Sequence, residues 1–305
     1  MGEYLYTISG QALWTWRSRA IAQAKTADVD PAEVDWLLQG LCEIESLALR
    51  LGTLAQQPKV SAQVSLAKLQ ALWEKRVRDR VPIQHLMGRT TWRNFSLRVS
   101  PDVLIPRPET ELIVDIAQSL VAPSPNPDQL KQGTWVDMGT GSGAIALGLA
   151  AVFPNAEILA VDLSEAALAI ARQNAEENGL GDRIQFLQGS WFEPLAPWRG
   201  KLAGIVSNPP YIPREIVPTL DPEVAYHEPH LALDGGNDGL DAIRHLIDQA
   251  EHFLVPGGIW LVELMIGQAP SVIHLLAATG YFQHIQSFKD LAAIDRFVAA
   301  TKVSR

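Results

Sequence analysis

The chain changes its hydrophobic period twice. Up to about residue 80 the apolar positions follow helical spacing, as in Val34, Leu37, Leu38, Leu41, Ile44, Leu47 and Ala48. Asp30-Pro31, with Glu33 behind it, reads as an N-cap followed by a first-turn proline. A second helix is predicted through Leu66, Leu69, Leu72, Trp73 and Val77, ending before Pro82 because the residue preceding a proline disfavours helical backbone. No strand pattern interrupts this stretch, so residues 1–85 are expected to form a small helical bundle. Over 86–106 the pattern shifts to near-alternation around Trp92 and Phe95–Val99, which predicts a linking hairpin. Glu109 and Glu111 then fall in the first turn of a helix carrying Ile113, Ile116, Ala117 and Leu120, and Pro123–Asp128 is expected to be a loop.

From Thr134 onward short apolar runs alternate with helical patterns. Strands are predicted at Trp135–Met138, Ile158–Val161, Ile184–Leu187, Ile205–Val206 and Ile259–Leu264, with a final pair at Phe282–Phe288 and Phe297–Ala300. Helices are predicted at Ala144–Phe153, Ser164–Asn178, Leu240–Leu254 and Ser271–Thr279, with Pro256-Gly257-Gly258 as a turn. Such alternation predicts an α/β domain over 107–305, an open and mostly parallel sheet with helices on both faces. Ligands of such sheets bind beyond the carboxyl ends of the strands.

Composition narrows the function. The 305 residues are 47% hydrophobic, enough for a full core in two domains. Cys42 is the only cysteine, so neither an internal disulfide nor a Cys-rich zinc site is available, and no metal is expected. The start, with acidic Glu3, does not read as a signal peptide, and no apolar run reaches membrane-spanning length; a cytoplasmic protein is expected. Residues 1–85 hold 10 basic and 9 acidic side chains, whereas the rest hold 15 and 25. That acidic balance argues against direct nucleic-acid binding through phosphates. The basic excess lies at Lys68, Lys75, Arg76, Arg78, Arg80, Arg89, Arg93, Arg98 and Arg107. It reads either as a solvated helix face and strand edge or as a docking surface for an acidic or RNA-bound partner.

Two motifs carry chemistry. Val136-Asp137-Met138-Gly139-Thr140-Gly141-Ser142-Gly143 sits at a strand-to-helix junction, where glycines let the backbone turn and approach a ligand, and Asp162 ends the next strand, placed to accept ribose hydroxyls. The spacing is G-x-G-x-G, and a carboxylate at Asp137 facing the ligand would repel a pyrophosphate but attract a sulfonium. This favours S-adenosyl-L-methionine over a nicotinamide dinucleotide. Ile205-Val206-Ser207-Asn208-Pro209-Pro210-Tyr211 ends a later strand. The lone pair of a planar NH₂ is delocalised, so methylating it calls for acceptors aimed at its N–H bonds. The Asn208 side-chain oxygen and the Pro209 carbonyl can be those acceptors; Pro209 and Pro210 bring no competing donor, and Tyr211 offers a flat face. The pair of motifs points to methylation of an amino or amide nitrogen. A regulatory cofactor-binding module without catalysis is disfavoured by the intact Asn208–Tyr211.

Leu104–Glu111 (LIPRPETE), DMGTGSGAIAL, IVSNPPYI and His227–Leu240 (HEPHLALDGGNDGL) follow one another in the order seen in the HemK/PrmC family, which the chain resembles over about 82–305. That family consists of protein-(glutamine-N5) methyltransferases of peptide chain release factors. The resemblance implies a class I methyltransferase fold, a Rossmann-like sheet of seven strands, behind an N-terminal helical substrate-recognition domain. It implies methyl transfer to the amide N5 of the glutamine in the Gly-Gly-Gln motif of bacterial-type release factors, by an enzyme expected to be a monomer. By position, Asp137, Gly139, Thr140, Gly141, Ser142, Gly143, Asp162, Trp191 and Asn208 would bind the cofactor. Asn208, Pro209 and Tyr211 would be catalytic. Pro210, Arg107 and Glu109 would join them around the substrate, with an ion pair at the helix start as the alternative for Arg107 and Glu109. Glu228 and Pro229 sit in a loop that could close over the peptide. The family's Ser-Asp after the third strand is replaced here by Gly189-Ser190, which removes the carboxylate expected at the adenine. The competing reading is an adenine-N6 or guanine-N2 methyltransferase of DNA or RNA.

Overall fold

A computed structural model describes residues 5–303; Glu3 lies outside them. The chain divides into two compact units, one holding the chain up to Gly88 together with Pro222–His227, the other holding Arg89–Asp221 and Glu228 onward.

The first unit has helices at Gly10–Thr26, Ala32–Leu41, Ser46–Leu51, Leu66–Asp79 and Ile83–Met87. Ser9 and Ser65 cap two of them, each hydroxyl accepting from the backbone N–H three residues on. Asp30 starts another by accepting from Ala32 N at 2.9 Å. Helical spacing across Ile44–Ala48 does not give one continuous helix. Cys42 is extended and bridges to Ala62, so the helix ends at Leu41 and a new one begins at Ser46. Contrary to the expectation of helices alone, β1 (Tyr6–Ile8) pairs antiparallel with β2 (Val60–Ala62). The core centres on Trp16 and Trp73, packed edge to face at 6.4 Å among Leu13, Leu37 and Leu38. Cys42 is buried, and burial pushes its thiol up to about 12.

Arg76 is 4% exposed and lies between two carboxylates, Nε 2.5 Å from Glu33 and Nη1 2.7 Å from Glu223. Arg80 also pairs with Glu223, and His227 Nε2 meets the Asp79 carbonyl at 2.8 Å. Part of the long loop after Tyr211 is therefore a helical turn, Pro222–Ala225, built into the helical unit by buried ion pairs.

The second unit opens with the predicted hairpin, β3 (Arg89–Trp92) and β4 (Phe95–Arg98). Its sheet comprises β5 (Thr134–Met138), β6 (Glu157–Asp162), β7 (Ile184–Gln188), β8 (Leu202–Ser207), β9 (Leu254–Glu263), β10 (Phe282–Lys289) and β11 (Asp295–Lys302). The order is β10-β11-β9-β8-β5-β6-β7. β5 to β9 run parallel, and β10 and β11 are antiparallel. Apolar layers cover both faces. On one, Trp135 stacks on Phe153 at 4.7 Å; on the other lie Leu246, Phe253 and Trp260. Gly204 is required under Trp135, since a Cβ there would fall 2.2 Å from the indole.

Two boundaries differ from expectation. β9 runs through Pro256-Gly257-Gly258 instead of turning there, and its register against β8 jumps between Leu202 and Gly204, an irregularity that tolerates a proline without an N–H. Pro127 begins a helix, Pro127–Gln132, because a first-turn proline has no amide hydrogen to leave unpaired. Most of the basic excess of 68–107 is taken up by carboxylates of this chain: Arg89 and Arg98 pair with Glu177, Arg93 with Asp115, Arg107 with Glu228, and Arg78, largely exposed, with Asp79.

Candidate active site

The parallel strands β7, β6, β5 and β8 end on one rim, and the predicted residues gather there. After β5 the chain folds back on β6: Gly139 N and Thr140 N both donate to the Val161 carbonyl at 2.9 Å. Gly139, Gly141 and Gly143 all have positive φ. Asp162 accepts from Gly141 N at 2.8 Å and from Ser164 N at 2.9 Å, so it fixes the loop as well as ending its strand. Burial raises its pKa, against the pull of those N–H groups.

Asp137, expected to stand open to the ligand, is turned into the protein. It is fully buried, and Oδ2 accepts from the Thr140 hydroxyl at 2.6 Å and from Ala146 N at 3.1 Å. The reason is local: Thr140 and the first turn of the following helix supply donors that claim the carboxylate. Burial lifts its pKa to about 7, and Oδ1 has no partner. Thr140 and Ser142 are buried as well. Trp191, at φ 48°, brings its ring to the edge of the loop, 3.9 Å from where a Cβ on Gly139 would stand. Glu193 Oε2 accepts from Ser190 N at 3.1 Å.

Asn208 follows β8 directly. Ser207 anchors that strand tip, its hydroxyl donating to the Met138 carbonyl at 2.7 Å. Asn208 Nδ2 donates to Thr110 Oγ1 at 3.4 Å. Neither Asn208 Oδ1 nor the Pro209 carbonyl is engaged by a hydrogen bond among the described residues. Pro210 packs against Gly235, where a Cβ would lie 2.7 Å from the Pro210 carbonyl, and the Tyr211 carbonyl accepts from Gln268 Nε2 at 2.9 Å. Tyr211 Oη donates to Glu263 Oε1 at 3.3 Å. Arg107 pairs not with Glu109 but with Glu228 at 2.7 Å, and the Glu228 side chain is 1% exposed. Burial raises the pKa of Glu228, and the Arg107 charge opposes the rise.

Residues 111–217 match the Methyltransferase small domain family. The chain is 51% identical to a release factor glutamine methyltransferase of Synechocystis sp., over 97% of this chain and 98% of that protein. A second release factor glutamine methyltransferase, from Thermosynechococcus vestitus, is 43% identical over 96% of this chain and 99% of its own length. The chain belongs to the release factor glutamine methyltransferase family. The fold is also that of the hMettl16 catalytic domain in complex with the MAT2A 3'UTR hairpin 6, which is 13% identical and superposes with a TM-score of 0.55 over 87% of this chain and 88% of that one.

This family member is a methyltransferase whose methyl donor is S-adenosyl-L-methionine. Its residues fit that cofactor. A Cβ on Gly141 would meet nothing within 4 Å, so the loop leaves room for a ligand beside its backbone, and the Asp162 carboxylate, which accepts from Gly141 N, stands next to it. Three residues of the methyltransferase escaped the sequence reading. Thr110 belongs to the quoted LIPRPETE stretch, and Glu263 is the one charged side chain in Ile259–Leu264. Asn174 is fully buried: its Nδ2 donates to the Ser142 carbonyl at 2.8 Å, and its Oδ1 accepts from Arg98 N at 2.6 Å. It joins the glycine loop to β4, and only its place inside a helix that packs on both could have signalled it.

Proposed function

We propose that the protein transfers a methyl group to the side-chain amide N5 of the glutamine in the Gly-Gly-Gln motif of peptide chain release factors. The observation that carries this reading is the pair of unclaimed acceptors, Asn208 Oδ1 and the Pro209 carbonyl, at the tip of a central strand. Bound S-adenosyl-L-methionine supplies an electrophilic methyl on a sulfonium that leaves as a neutral thioether. The two oxygens accept the N–H bonds of the substrate amide and favour the pyramidal nitrogen that forms as its lone pair is used. Tyr211 lies against the planar group, and Arg107 with Glu228 closes the wall beside it. The proton of the methylated nitrogen leaves afterwards to solvent.

The helical unit is the recognition module for the release factor in this reading, and the enzyme acts as a cytoplasmic monomer. Among the described residues no helix is long and apolar enough to cross a membrane. The nucleic-acid reading is weaker, because the arginines of 76–107 are occupied by intramolecular carboxylates. The test is incubation with labelled S-adenosyl-L-methionine and a purified release factor. Label on the factor, lost when its Gly-Gly-Gln glutamine becomes alanine, is the expected result; label on DNA or ribosomal RNA instead overturns the reading.

A further inference from the structure

A carboxamide has two ends of nearly equal size and opposite chemistry. If Asn208 turned its NH₂ outward, donor would face donor at the substrate and the site would repel the group it must hold. Proline neighbours add no hydrogen bond that could choose between the two. Thr110 does choose: its hydroxyl oxygen accepts from Asn208 Nδ2, which leaves Oδ1 as the free end. A hydroxyl accepts most effectively there when its own proton is directed elsewhere.

Glu263 has 0% exposure and accepts from Tyr211 Oη at 3.3 Å. Its Oε2 has no hydrogen-bond partner, an arrangement that is costly in a core and concentrates at functional sites. The groups facing it are Thr110, Tyr211, Arg296 and Glu109. Thr110 is 4% exposed, so both residues are enclosed by protein. The two bonds measure 3.4 and 3.3 Å.

We propose that Thr110 and Glu263 are positioning residues of the methyl transfer, Thr110 orienting the Asn208 amide and Glu263 holding the Tyr211 ring from behind the motif. The proposal rests on the reading of Asn208 as the acceptor for the substrate amide.

The experiment compares wild type, Thr110→Val, Thr110→Ser, Glu263→Ala and Glu263→Gln in methyl transfer to a release factor, with cofactor affinity measured by calorimetry. Thr110→Val is expected to lower kcat about 10–100-fold, the usual cost of losing a partner that orients a reacting group, with KM for the factor and cofactor Kd changed by less than about threefold. Thr110→Ser keeps the acceptor and recovers most of kcat, and Glu263→Gln recovers most of what Glu263→Ala loses. A Thr110→Val enzyme as fast as wild type overturns the proposal, as does a loss that follows cofactor Kd or that serine does not rescue. If wild type itself puts no methyl on the factor, the functional reading has failed and the proposal falls with it; an active wild type beside an unimpaired valine variant sinks the proposal alone.

Discussion

Asn208 donates through its NH₂ to Thr110 and, in the proposed function, offers its oxygen to the substrate, so truncating it should affect turnover more than binding. Asn208→Ala is expected to reduce kcat about 10²-fold or more, as for loss of one preorganised polar partner, and to leave cofactor Kd nearly unchanged by calorimetry. A lost cofactor affinity with unchanged turnover at saturation would contradict the assigned role. The Asn208–Tyr211 motif is legible in sequence because few residue types can present bare acceptors beside a planar group. Its supports are not. Thr110 is 98 positions from Asn208 and Glu263 is 52 from Tyr211, and only the sheet brings them together. Asp137 was legible as a carboxylate at a strand tip, but its direction was not, because Thr140 and Ala146 capture it only once the helix start is formed.

Strands and helices of the α/β unit were readable wherever the apolar period was sustained, as at β5, β6 and the helix capped by Ser164. The misses are elements with too little length or the wrong punctuation. β1 and β2 have three residues each and no room to alternate, and β9 carries a Pro-Gly-Gly that normally signals a turn. Side chains that tie elements together were equally invisible. Asn174 joins the helix Glu165–Glu177 to the glycine loop and to β4, so Asn174→Ala should cost about 1–3 kcal/mol through its stranded partners, read from urea denaturation, and should weaken cofactor binding. In the helical unit, Arg76→Ala leaves Glu33 and Glu223 without their shared cation, and a loss of about 3–5 kcal/mol is expected in the same measurement.

Among the described residues two buried carboxyls, Asp137 and Glu263, have pKa values pushed up to about 7, each raised first by burial. Their folded values lie above the unfolded ones, so their contribution to stability is complete at acid pH below the ordinary carboxylate range and is lost as pH rises through 7. Wild type should therefore lose more stability between pH 6 and pH 8 than Glu263→Gln does, by about 1 kcal/mol, as thermal unfolding at the two pH values would show. A wild-type dependence no steeper than that of the variant would mean that Glu263 does not titrate in this range. The buried thiol of Cys42 has a practical outcome at the same scale. With its pKa near 12 and its side chain enclosed, it should ignore maleimide at neutral pH. A cysteine engineered at an exposed position would then be the sole handle for a fluorophore, and movements of the catalytic rim could be followed by single-molecule spectroscopy without first deleting a native residue.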